Sequence, residues 1–250
     1  MDGYDWGLIA VTIAVCGMAY WLLCRDKADW AAEKEEEKEQ GRKQEKGEEK
    51  TQNKQQEKKQ EKKQEKKQDR GVLWYSAVMS LLAMGIAVMM CTVYKENSFL
   101  FSLKRLCLIA VIWPAAYVDY KTYRIPNSLI GAGLTMRLVI FMLELFSCGS
   151  QAWYVLLSEL IASGAVFLAT ALCNMMVKNS IGFGDMKLFI LMGLMLGSEG
   201  IWGAVFLSLV IEFVMAAILL LRKKKGRKDV IPFGPAIVAG TYLSVFLTGM

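Results

Sequence analysis

Two aspartates carry the chemistry legible in this chain. Asp119 opens the segment Asp119-Tyr-Lys-Thr-Tyr-Arg-Ile-Pro-Asn127, and Asp185 lies in Gly182-Phe-Gly-Asp-Met-Lys187. Each stands where a long apolar run meets a polar, basic loop. Carboxylates at the edge of a membrane are costly and so mark functional positions. The 250 residues include no histidine. That removes Ser-His and Cys-His catalysis, histidine general bases and most zinc sites together. What remains is acid–base chemistry by a carboxyl pair, with no metal and no organic cofactor expected.

The neighbours of each aspartate fit that chemistry. Asp119 closes an apolar run, and Pro126 marks the start of the next, because proline lacks an amide proton and tolerates a first helical turn. Asn127 or Ser128 is placed to cap that turn locally. Gly182 and Gly184 flank Phe183, giving a backbone able to take unusual dihedrals and to admit another chain closely. Lys121 and Lys187 each follow an aspartate by two residues. On a helix such positions do not face each other, so these lysines are expected to attract substrate or lipid headgroups.

Positioning these residues requires a membrane. Hydrophobic residues make up 54% of the chain and mean hydropathy is +0.31 despite a long charged tract, a balance foreign to a soluble globule. Apolar stretches fall at 8–24, 71–93, 99–118, 128–147, 153–177, 186–200, 201–221 and 230–249. With about 20 helical residues needed per crossing, the expectation is an all-α, polytopic helix bundle of about eight transmembrane helices. The six cysteines are scattered singly, without a C-x-x-C pair, and read as small apolar side chains in a membrane core.

The charge layout sets orientation. Asp2 and Asp5 precede the first apolar run, and Arg25 and Lys27 follow it. Residues 1–25 therefore read as an N-terminal transmembrane anchor with its amino end outside, uncleaved because no basic n-region or A-x-A-like site accompanies it. Threading eight spans puts Lys121, Arg124, Lys178 and Arg222-Lys-Lys-Lys-Gly-Arg-Lys228 in the cytoplasm, in keeping with positive-inside topology. The opposite loops, near Glu96, Ser147–Gln151 and Ser198–Gly200, offer only Lys95. Both aspartates then face the cytoplasm, at the cell membrane. Residues 26–70 form a charged, low-complexity cytoplasmic insert, with 14 Lys/Arg against 12 Asp/Glu between Glu33 and Arg70, ending in three copies of Glu-Lys-Lys-Gln. Without an apolar stripe it buries no core and reads as a solvated helix or disordered spacer. The third division, 71–250, is the membrane-embedded domain. Inside it, Glu144, Glu159 and Glu212 fall within spans and Arg137 lies near the middle of one. A buried Arg–Glu pairing is expected, since intramembrane charges seek partners.

D-x5-I-P-N followed by G-x-G-D-x-K resembles the type IV prepilin peptidase family, membrane aspartic proteases of the GxGD type. Ile231-Pro-Phe-Gly-Pro235 resembles a family segment that opens a C-terminal helix, and the resemblance covers residues 71–250. It implies that Asp119 and Asp185 are the catalytic pair, supported by Gly182, Gly184, Lys187, Lys121, Pro126, Asn127 and Pro232. The implied reaction removes a basic leader from type IV pilin-like precursors, the partner proteins, at the cytoplasmic surface. Long family members also carry paired C-x-x-C motifs and N-methylate the new terminus. No cysteine lies between Cys24 and Cys91 here, so the resemblance is to short forms without the methyltransferase. Two other readings stay open: an intramembrane GxGD protease of another substrate class, and a proton-coupled transporter, whose site would lie near the midplane among broken helices.

Overall fold

The computed structural model describes residues 7, 10–14, 16–21, 24, 74–90, 98–176, 181–222 and 231–248. The charged insert, Arg25, Lys27, Cys91, Lys95, Glu96, Lys178 and the cluster after Arg222 lie outside the described residues. Among those described, every element is helical: α1 (Ala10–Trp21), α2 (Trp74–Met90), α3 (Phe99–Thr122), α4 (Asn127–Cys148), α5 (Gln151–Met176), α6 (Phe183–Leu221) and α7 (Gly234–Thr248). Four of them, α3 to α6, are long and apolar enough to cross a membrane, and α1, α2 and α7 are shorter apolar helices. The protein is a membrane helix bundle. Its chain divides into two compact units, Tyr20–Leu82 and a larger one holding residues 1–19 and 83–250.

The core of the larger unit is α3. An unbroken run from Lys104 to Ala116 is buried, and from Leu106 onward it is apolar all round, as suits an enclosed helix. Trp113, Leu106, Leu108 and Ile109 are among the largest fully enclosed side chains. By contrast α4 and α5 turn large apolar residues outward, including Leu138, Phe146, Ile161 and Leu168, the faces that lipid covers. A tight turn at Gly149 and Ser150 joins these two helices, with Gly149 at φ 56° capping α4.

α6 holds the decisive turn. Gly197, at φ 70° and ψ −172°, breaks it in two, in a region of backbone space open essentially to glycine alone. The contacts on either side show a reversal. Asp185 lies near Asp119, and Glu212 lies close enough for its charge to act on Asp185. A straight helix would separate residues 185 and 212 by about 40 Å. On the return leg Gly203 sits beside Ser244, and Ser208 meets Gly240 of α7. The sixth and seventh spans expected from the sequence are therefore two antiparallel legs of one helical hairpin, divided at Gly197 instead of between residues 200 and 201. Small residues let these legs pack tightly: a Cβ on Gly193 would stand 2.7 Å from Cα of Ser163 on α5.

Beside the reversal lies a buried ion network. Lys104 of α3 reaches Glu144 of α4 at 2.8 Å and Glu159 of α5 at 2.7 Å. Arg137 of α4 pairs with Glu144 at 3.1 Å and also bonds Glu159. Two cations and two carboxylates balance, which is how charges persist away from water. Arg137 Nε also donates to the Leu194 carbonyl at 3.0 Å, three residues before the break at Gly197. The expected Arg–Glu pairing is thus present for Glu144 and Glu159. Lys104, the second cation, was not anticipated.

Candidate active site

Asp119 comes three residues before the end of α3 and is 5% exposed. The helix stops because Tyr123 adopts the left-handed conformation, φ 54°, and donates its amide to the Asp119 carbonyl at 2.8 Å. Thr122 secures the same turn, its hydroxyl donating to the Val118 carbonyl at 2.9 Å. The Asp119 carboxylate reaches across the bundle, where Oδ2 accepts the main-chain N–H of Gly234 at 2.8 Å.

Asp185 occupies the third position of α6, and Gly182 stands at the N-cap. Its carboxylate accepts a main-chain hydrogen bond from Gly182, the reach-back of an N3 acid to the N-cap amide. A Cβ on Gly182 would lie 3.0 Å from Asp185 Oδ2. The other oxygen, Oδ1, is buried without a hydrogen-bond partner among the described residues. The charges of Asp119 and Glu212 both act on Asp185, so three carboxyl groups gather at one end of the bundle.

The remaining sequence-singled residues distribute as follows. Lys187 Nζ donates to Asn127 Oδ1 at 2.9 Å, joining the starts of α4 and α6. Asn127 is thereby engaged, and the N-cap position of α4 is Pro126, with no side-chain cap. Lys121 turns back over the Tyr117 ring, 5.9 Å from its centroid, and does not pair with Asp119. The space beside Gly184 belongs to Ile125, whose Cβ would lie 3.1 Å from an added Cβ. That glycine lets the Asp119 loop lie against the Asp185 loop. Pro232 is buried in the turn that leads into α7, and the next residue, Phe233, packs edge-on against Phe189 with ring centroids 5.6 Å apart.

Sequence reasoning missed three contributors. Gly234 holds Asp119, and its signal was the Pro-Phe-Gly-Pro turn, where only Pro232 was singled out. Asn174 grips Ile181 from both sides, donating to its carbonyl at 2.9 Å and accepting its amide at 3.0 Å. It thereby fixes the approach to Gly182, and a lone asparagine near a helix end gives no such cue in sequence. Glu212, read from the sequence only as a charge within a span, also bears on Asp185. Among the described residues no group of three or more His, Cys, Asp or Glu side chains is arranged to hold a metal ion.

An arrangement of two carboxyls at the ends of adjoining helices, each held by a main-chain amide and one with an unused buried oxygen, suits shared-proton chemistry at a water molecule. The model of the type IV leader peptidase family matches residues 106–221, a stretch that includes both aspartates. A relative in Bacillus subtilis (strain 168), the prepilin leader peptidase/N-methyltransferase, is 28% identical over 141 residues, 54% of this chain and 52% of that protein. The chain thus matches about half of that relative's length. No solved structure matches. Over residues 106–221, a little under half of its length, this chain is similar to the type IV leader peptidase family.

Proposed function

We propose that this protein is a membrane aspartic endopeptidase that removes the basic leader of type IV pilin-like precursors at the cytoplasmic face of the cell membrane. The observation that carries the reading is the convergence of Asp119 and Asp185 at one end of the bundle, close enough for one charge to act on the other. Two carboxyls so placed do not both ionise cheaply, and the pair holds one proton over a range of pH. The ionised member takes a proton from water as the water attacks the scissile carbonyl. The protonated member donates to that carbonyl oxygen, then a proton passes to the leaving amine, and the pair returns to its starting state. Gly182, Gly184, Pro126, Asn127, Lys187 and Pro232 support this pair. Exposed Lys121 is available to lipid headgroups or substrate at the rim.

Depth favours a leader peptidase over a protease that cuts within a span. Asp119 lies within one turn of the end of α3 and Asp185 within one turn of the start of α6. A proton-coupled transporter would place its carboxylates near the midplane. Here the carboxylates away from the Asp119 end, Glu144 and Glu159, are committed to Lys104 and Arg137. We further propose cleavage without N-methylation, because no paired C-x-x-C motif occurs in the sequence.

The test uses the full chain in lipid vesicles and a peptide with a Lys/Arg-rich leader, a glycine and an apolar helix. Asp119→Asn and Asp185→Asn are each expected to leave the peptide uncut while still inserting. Normal processing by either variant removes the dyad.

A further inference from the structure

We propose that the turn Ile231-Pro-Phe-Gly-Pro235 is a clamp that sets the geometry of the aspartate pair, with Gly234 holding Asp119 through its main-chain amide and Phe233 holding the Asp185 helix through Phe189. The inference rests on the reading of Asp119 and Asp185 as the catalytic pair and adds two positioning residues to it.

Hydrogen-bond accounting at the start of α7 explains the amide. Helix starts leave several N–H groups without intrahelical partners. Here Pro235 has none to offer, and the amides of Ala236 and Ile237 both turn back to the Phe233 carbonyl, at 3.0 and 3.1 Å. The Gly234 N–H is left, and it points at Asp119 Oδ2, 2.8 Å away in a buried setting. A carboxylate with one oxygen fixed in this way presents the other in a defined direction. The positive end of the α7 dipole also faces it.

Residue 234 has no room for anything but glycine. A Cβ there would stand 2.9 Å from the Ala116 Cα, 3.0 Å from the Asp119 Cβ and 3.0 Å from Oδ2. The nearest of these atoms is backbone of the central helix, which cannot rotate aside. Close approach of α7 to α3 at the level of Asp119 therefore depends on this glycine.

Phe233 provides the second jaw. Its ring meets Phe189 edge to face, with centroids 5.6 Å apart and planes at 64°. Phe189 is 1% exposed and stands four residues after Asp185, on the same side of the first leg of α6. Two adjacent residues of one turn thus touch both helices that carry the aspartates. Misplacement of a reacting group by about 1 Å costs on the order of a hundredfold in rate, so the spacing this turn imposes matters directly.

The decisive experiment replaces the Gly234 amide by an ester, with glycolic acid introduced at 234 by nonsense suppression in cell-free translation of the full chain into nanodiscs. This removes the N–H and adds no Cβ. With the leader-bearing peptide as probe, kcat should fall about tenfold or more, as for loss of a hydrogen bond to a charged group, while KM and the thermal midpoint change little. Phe233→Ala should lower kcat further than Phe233→Leu, which keeps an apolar filler against Phe189. Wild-type kcat in the ester protein overturns the clamp, as does a kcat loss accompanied by a matching fall in thermal midpoint. Asp119→Asn and Asp185→Asn run alongside keep the two readings apart. Inactive aspartate variants with an unimpaired ester protein dispose of the clamp alone, and active aspartate variants dispose of the dyad.

Discussion

At the scale of single residues, the glycines around the two aspartates do different work from what their spacing suggests. G-x-G-D reads as a flexible strip open to a substrate backbone. In the structure the room beside Gly184 is filled by Ile125, and the room beside Gly182 by the Asp185 carboxylate itself. A methyl at 182 would meet the free end of a side chain, which can rotate away at little cost to folding. Rotation would, however, move Asp185 from its place. Gly182→Ala is therefore expected to lower peptide cleavage by on the order of a hundredfold with an unchanged thermal midpoint. Loss of activity only in proportion to loss of folded protein would show that the glycine serves folding. The bond between Lys187 and Asn127 is exposed, and such bonds contribute about 1 kcal/mol or less. Its removal should have a much smaller effect.

Among the elements, α6 depends most on its surroundings. The ion network of Lys104, Arg137, Glu144 and Glu159 stands against its reversal at Gly197. Arg137 links the two, because the same guanidinium bonds Glu159 and the Leu194 carbonyl. Breaking a buried network on one side leaves an uncompensated charge and costs about 3–5 kcal/mol. Glu159→Gln leaves Lys104 and Arg137 to share Glu144 alone, one positive charge in excess, and should sharply lower the thermal midpoint in nanodiscs. The double variant Lys104→Met with Glu144→Gln removes one charge of each sign and should be milder than Glu159→Gln. Equal losses in the two proteins would argue against charge balance as the governing term. Displacement of the first leg of α6 carries Asp185 with it, so the activity of Glu159→Gln should fall even at temperatures where it remains folded.

For the molecule as a whole, the proposed orientation places the Asp119 and Asp185 end in the cytoplasm and the α4–α5 turn outside. Cys148 is exposed at that turn, and Tyr123 is 50% exposed at the site end. In a chain stripped of its other cysteines, a membrane-impermeant maleimide should label Cys148 in intact cells. Tyr123→Cys in a fully cysteine-free chain should label only after permeabilisation. The reverse pattern would invert the topology and with it the cytoplasmic assignment of cleavage. The same experiment tests whether Arg222 and its neighbours act as an orientation signal.

Much of this was legible in one dimension. Apolar runs announced the helices, since a bilayer demands about 20 apolar residues per crossing whatever the surrounding fold. Asp119 and Asp185 stood out because a carboxylate at a membrane edge needs a reason to be there. Charge neutrality likewise foretold partners for Glu144 and Glu159. What sequence could not reveal was which partners meet. Lys104 and Glu159 lie 55 residues apart, and Gly234 and Asp119 lie 115 apart. Their pairings follow from how α3, α5 and α7 pack, and no local periodicity records that. The place of Glu212 depends in turn on the reversal at Gly197, which brings back toward the site a residue that an unbroken helix would have carried about 40 Å away.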